Sequence, residues 1–149
     1  MADPDDAAEA RALLEAARHG ALATLEAGGA PFVSLVAVAT DAAGAPLMLL
    51  SSLARHSRNI AADPRAALLI APAGTGDPMA AARLTVSGEM TRCDVAEARE
   101  RFLARQPEAR RYADFSDFTL WRLMPREAHL VAGFGRIRAL PAAALVADG

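Results

Sequence analysis

The sequence predicts a mainly β domain with added helices, of the α+β class: a small closed barrel of six to seven antiparallel strands decorated by helices. Three observations carry that expectation. Short apolar or alternating segments recur along the chain, separated by turns rich in Gly, Pro and Asp. Residues 31–40 are apolar on both faces, which a one-sided open sheet does not require but a barrel strand packed inside and covered outside does. Only two stretches, 5–18 and 94–105, have the length and composition of longer helices.

Residues 5–18 are strong helix formers, with Asp5 and Asp6 in the first turn, Arg18 in the last and Gly20 beyond; His19 would cap the carbonyl end. The period then changes to two. Residues 21–25 and 31–40 flank Gly28-Gly29 as a hairpin, 41–46 turn, and Leu47-Met48-Leu49-Leu50 forms a strand running into Ser51-Ser52. A polar connection, 53–59, leads to a short helical piece ending near Asp63-Pro64, and 66–71 returns as a strand. Residues 72–82 form the longest loop before the alternating strand 83–91. Asp94 and Glu97 have capping-box spacing for a helix to Arg105, which Gln106-Pro107 stops. Strands at 118–123 and 128–131 and a glycine-kinked last strand at 133–138 complete the set.

The 149 residues, 53% of them hydrophobic, suffice for one core and predict a single domain over 1–149. The chain lacks the run of roughly 18 apolar residues that a membrane span needs, and its acidic start lacks the basic head of a secretory signal. The expectation is a soluble cytoplasmic protein without a membrane partner. Cys93 is the single cysteine and the three histidines are scattered, so no disulfide and no metal site is expected. A net charge of -2 argues against a nucleic-acid partner. All 16 basic residues are Arg, so any anion held by a side chain is held by Arg, His or a hydroxyl.

The stretch Ser51-Ser52-Leu53-Ala54-Arg55-His56-Ser57-Arg58-Asn59-Ile60 places hydroxyls, two guanidiniums, an imidazole and an amide between a strand end and a helix start. Helix amides, serine hydroxyls and arginine forks are the groups that grip phosphate. An ordinary polar loop with a serine cap explains the same residues, since Walker and Rossmann glycines are missing.

Further runs point one way. Gly29-Ala30-Pro31-Phe32-Val33-Ser34 and Asn59-Ile60-Ala61-Ala62-Asp63-Pro64-Arg65 resemble the Gly-x-Pro-x-x-Ser and Asn-Ile/Leu-x-x-x-Pro-Arg segments of the flavin mononucleotide (FMN)-binding split β-barrels of the pyridoxamine 5'-phosphate oxidase superfamily. His56-Ser57-Arg58-Asn59, Tyr112-Ala113-Asp114-Phe115 and Ala128–Arg136 resemble the haem-utilisation subgroup more closely, and the resemblance covers about residues 8 to 146. It implies a homodimeric split barrel with FMN at the subunit interface, acting as an FMN-dependent oxidoreductase on a small-molecule substrate. Carried over by position, Ser51, Ser52, Arg55, His56, Ser57, Arg58 and Asn59 would surround the flavin phosphate and ribityl chain. Arg83 and Thr85 would contact the isoalloxazine ring, and Trp121, Phe134 and Arg136 would approach the partner subunit's flavin. Catalysis would need no acidic or basic side chain, because a hydride passes directly to the flavin.

The Arg-rich C-terminal motif of the pyridoxamine phosphate oxidases is not found here, so pyridoxal phosphate synthesis is not implied. Haem-degrading relatives carry a further domain that supplies an iron-ligating histidine, and the sequence up to Gly149 shows none, so haem oxygenase chemistry is not expected either. A haem-handling protein of the same fold, a deazaflavin in place of FMN and a ligand-free dimeric scaffold remain as alternatives. His129 in its apolar strand reads either as a haem or substrate ligand or as a hydrogen-bonded barrel histidine. Arg99, Arg101, Arg105, Arg110 and Arg111, interleaved with Glu97, Glu100 and Glu108, read as a solvated, salt-bridged helix face.

Overall fold

The structure is a computed structural model describing residues 2–133 and 135–147. Helix α1 (Pro4–Ala16) starts where the Asp3 carboxylate accepts the Asp5 amide at 2.8 Å, with proline in the first turn and Asp5 and Asp6 at the positive end of the helix. It ends two residues earlier than the sequence suggested. Ala17 is the C-cap, so His19 opens the first strand instead of capping the helix. The aliphatic stripe Ala7, Ala10 and Leu14 is what α1 buries.

The strands are β1 (His19–Leu25), β2 (Pro31–Ala37), β3 (Ala39–Thr40), β4 (Pro46–Ser51), β5 (Arg65–Ile70), β6 (Arg83–Arg92), β7 (Phe118–Val131) and β8 (Ile137–Pro141). They form one sheet in the order β2-β1-β5-β6-β7-β4-β3, with β8 added on β7, and every pairing is antiparallel. Among the described residues this makes eight strands, against the six to seven expected. The chain from 31 to 40 breaks at buried Val38, whose amide donates to Arg18 O one register step beyond the His19–Ala37 pair, where the pairing with β1 ends. β2 therefore pairs with β1 and β3 with β4, which joins the two ends of the sheet across the split. Conversely, the two strands expected at 118–123 and 128–131 are one continuous strand.

β7 is shared. One edge pairs with β6 along its length, and the other pairs with β4 through residues 118–122 and with β8 through residues 127–131. The change of partner coincides with a register shift at Ser87/Gly88 facing Pro125. Proline lacks the amide a regular ladder needs, and bulges are where sheets accommodate it. A Cβ at Gly88 would lie 2.0 Å from Met124 O, so only glycine admits this close approach.

The inner core gathers Leu14, Leu22, Met48, Leu68, Leu84, Val86, Trp121, Leu123 and Leu130. A second cluster, with Leu47, Leu49, Cys93, Phe102, Leu103 and Leu120, lies under α3 (Ala96–Arg105). The strand buried on both faces is thus β4, and not residues 31–40 as expected; Val33 and Leu35 of β2 are 64% and 74% exposed. Helix α3 begins without a side-chain cap at Val95, so the Asp94–Glu97 capping box does not form. Helix α2 (Arg55–Ala62) packs on β1 and β2. Among the described residues no helix is long and apolar enough to cross a membrane.

Replacing Gly88 with Ala is expected to destabilise the protein by about 2–3 kcal/mol through backbone displacement at the bulge. Urea unfolding monitored by tryptophan fluorescence checks this, and an unchanged midpoint would contradict the assignment.

Candidate functional site

The stretch singled out from sequence is where β4 runs into α2. Helix α2 starts at Arg55, with Ala54 as an N-cap that makes no side-chain hydrogen bond, five residues earlier than a connection through 59 would allow. Its polar residues therefore face three ways. Asn59 is buried and its Nδ2 donates to Thr24 Oγ1 at 3.0 Å, pinning α2 to β1. His56 Nδ1 lies 3.0 Å from Ser34 Oγ, and buried Ser57 Oγ and His56 Nε2 have no hydrogen-bond partner among the described residues. A proton on Nδ1 leaves Nε2 as a bare acceptor, which costs less than an orphaned buried N–H. Burial holds the imidazole below its ordinary value near 6.5, because the charged ring would be poorly solvated. Ser34 and His56 are a hydroxyl–imidazole pair without, among the described residues, the carboxylate that would orient it for nucleophilic attack.

The remaining members lie outward. Ser51 Oγ donates to Asp117 Oδ2 at 2.7 Å and accepts the Leu53 amide at 3.2 Å, so this hydroxyl is already engaged by an anion. Arg55 is ion-paired with Glu26 and lies over the Phe32 ring, 4.5 Å from its centroid. Ser52 and Arg58 are exposed, and neither side chain has a polar partner among the described residues.

Arg83 and Thr85 do not join this group within one chain. Ser51 pairs with Phe118 at one end of β7, whereas Arg83 pairs with Val131 at the other. The Arg83 guanidinium donates to Met79 O and Ala81 O, fastening the end of the 72–82 loop. Trp121 belongs to the inner core, with Arg92 over its ring. Arg136 is held by Asp6 at 2.9 Å, and Arg138 holds the same buried carboxylate at 3.2 Å, tying the approach to β8 to α1. Phe134 lies outside the described residues.

Thr85 instead belongs to a row running across the outer sheet face. Cross-strand partners place Leu35, Ala21, Leu69, Thr85, His129 and Ala139 side by side on β2, β1, β5, β6, β7 and β8. The next row is Val33, Ala23, Ala67, Ser87, Glu127 and Pro141. Leu35 to His129 is four strand spacings, about 19 Å. Alanines floor this surface, Val33, Leu35 and Leu69 stand from it, and His129 is exposed on it with no side-chain hydrogen bond among the described residues. The reading of His129 as a hydrogen-bonded barrel histidine is therefore corrected, since a residue one position from buried Ala128 and Leu130 points to the opposite face. Sequence reasoning gave this face little weight because its signal is a register between distant strands.

An antiparallel barrel joined across a split, with α1 packed into its inner core, α3 over the outer face of β4, and the outer face of β1, β2, β5 and β6 left open, defines the split-barrel class that includes pyridoxamine phosphate oxidase-like proteins and haem proteins. The chain belongs to the CREG beta-barrel family, whose pattern it matches over residues 2–145. It is 35% identical over 132 residues to the non-canonical heme oxygenase HOZ, chloroplastic, of Arabidopsis thaliana; these cover 84% of this chain but only 40% of the relative's length. The structure of a heme binding protein from Mycobacterium smegmatis superposes with a TM-score of 0.89 at 37% identity, covering 97% of this chain and 61% of that one. A Clostridium acetobutylicum protein of the pyridoxinephosphate oxidase family, related to general stress protein 26, shares the fold alone: TM-score 0.71, 12% identity, with 94% and 96% of the two chains covered.

Because His56 is held neutral by burial, the unfolded chain takes up its proton first as pH falls. Stability from this site is full above about 6.5 and is lost as pH drops below it. The melting temperature is expected to fall between pH 7 and pH 5 more steeply for wild type than for His56→Gln, and parallel curves from scanning calorimetry would contradict the assignment.

Proposed function

We propose that this chain is a haem-handling protein that works as a homodimer and holds the porphyrin against the outer sheet face. One observation carries the reading: the row from Leu35 to Ala139 sets an exposed imidazole, His129, on a surface otherwise made of small or aliphatic side chains and a threonine. A porphyrin is flat and largely apolar, and an alanine floor lets it approach the sheet closely. An unprotonated imidazole nitrogen is a common axial ligand of haem iron. Arg83 borders the same face one register step away, where a propionate would lie. When bound, haem would supply the iron; His129 would fix its position and the apolar strands would exclude water. The names of the Mycobacterium and Arabidopsis relatives support this reading, and because the chain spans 61% and 40% of them, less than two thirds of each, it extends to binding and not to their full activity.

Exposed Val33 and Leu35 at one end of the same face are the surface a second copy would cover. A second reading, an FMN-dependent oxidoreductase acting on a small molecule, is favoured by the uncapped first turn of α2 next to exposed Ser52 and Arg58. There, Ser51, Ser52, Arg55, His56, Ser57, Arg58 and Asn59 of one subunit would face Arg83 and Thr85 of the other, since these do not meet in one chain. Trp121 and Arg136 would contribute only by releasing their present packing and ion pairs.

Titration of the purified protein with hemin is expected to give a saturable Soret shift, weakened at least about tenfold in His129→Ala and unchanged in Arg58→Ala. No saturable shift, or one indifferent to His129, overturns the haem reading. Retention of FMN through desalting, lost in Arg58→Ala, would establish the second reading instead. Light scattering is expected to report a dimer for wild type and a monomer for Leu35→Glu.

A further inference from the structure

We propose that the cleft between α1, β3 and α3 is a separate binding site for a small, multiply charged oxyanion. The cleft has a volume of about 450 Å³ and is lined by Glu15, Ala39, Thr40, Arg101, Ala104 and Arg105. None of these belongs to the outer sheet face or to the α2 end. Two guanidiniums share the cleft, and each is oriented by a backbone carbonyl: Arg101 Nε donates to Thr40 O at 3.0 Å, and an Arg105 terminal nitrogen donates to Ala16 O at 2.7 Å.

The sequence reads Arg99, Arg101, Arg105, Arg110 and Arg111 as one solvated, salt-bridged face, and the structure divides them. Arg99 pairs with Asp114 and Arg110 with Glu100, but Arg101 and Arg105 have no carboxylate partner among the described residues, although Glu15 lines the same cleft. Arg105 also keeps a buried Nε–H without a partner among the described residues. Two like charges held in one concavity by fixed carbonyls, with donors left over, form an arrangement that an oxyanion stabilises and that costs repulsion without one.

The lining also limits the ligand class. The lining is more polar than apolar and carries no large hydrophobic side chain, so a lipid or an aromatic ring gains little there. A phosphate ester or a polycarboxylate fits, with the paired charges taken by the arginines and a hydroxyl or amine of the same molecule donated to Glu15. Occupation would tie α1 to α3, two elements otherwise joined near this point by the hydrogen bonds of Arg18, Arg105 and Gln106.

Inorganic pyrophosphate is the probe, added to the full chain at constant ionic strength and followed by calorimetric titration and by melting temperature. Saturable binding of one pyrophosphate per chain with a rising melting temperature is expected. Arg101→Gln is expected to weaken it at least tenfold, Glu15→Gln to tighten it, and Arg58→Gln and His129→Ala to leave it unchanged. Arg101 is exposed, so its replacement tests binding without the packing loss that Arg105→Gln would bring. Absence of saturation, an equal response to chloride at matched ionic strength, or full binding by Arg101→Gln overturns the proposal whatever the outcome of the hemin titration.

Discussion

The pairing of β6 with β7 through the kink at Gly88 and Pro125 is the constraint on which the rest of the sheet depends. Before the kink β7 gives its free edge to β4, and after it to β8. A straight β7 would continue along one partner and leave the other without a ladder. The kink requires the Gly88 backbone to press on the Met124 carbonyl and a strand residue that needs no amide at Pro125, and the chain supplies both. Everything proposed for the outer face follows from this register, because it brings Thr85, His129 and Ala139 into one line with Leu69 and Ala21.

Helix α2 shows how polar residues can be used for architecture when their types suggest ligand binding. Thr24 and Ser34 on the inner faces of β1 and β2 would be costly if left unpaired, and Asn59 and His56 meet them. The same helix leaves its first turn uncapped, with Ser52 and Arg58 outside. Asp117 on Ser51 and Glu26 on Arg55 place two carboxylates beside that turn, which weakens its pull on an anion. By contrast, Arg101 and Arg105 have no carboxylate partner among the described residues.

Haem and flavin make a common demand on this fold: a flat ring needs a surface without tall side chains, and its acidic substituents need cations at the margin. Alanines at 21, 23 and 67 meet the first demand, and their exposure as a floor between Leu35 and His129 depends on strands distant in sequence. The two ligands differ in what else they require, an imidazole for iron or a cationic pocket for phosphate. The chain displays the imidazole openly and keeps much of the candidate phosphate pocket occupied.

The sequence by itself determined the class of fold, the hairpin at Gly28-Gly29, the two longer helices and the alternating strand from 83, because each depends on local periodicity and turn chemistry. The family resemblance was also legible, in short runs such as Asn59–Arg65. Only the tertiary structure decided that His19 is a strand residue, that Val38 divides one strand between two partners, and that 118–131 is continuous. The same is true of β4 being covered on both faces while Val33 and Leu35 are bare. The physical reason is common to all: a strand's partner, its bulges and the outward or inward sense of its alternation are fixed by hydrogen bonds to residues far along the chain, and no local pattern carries that information.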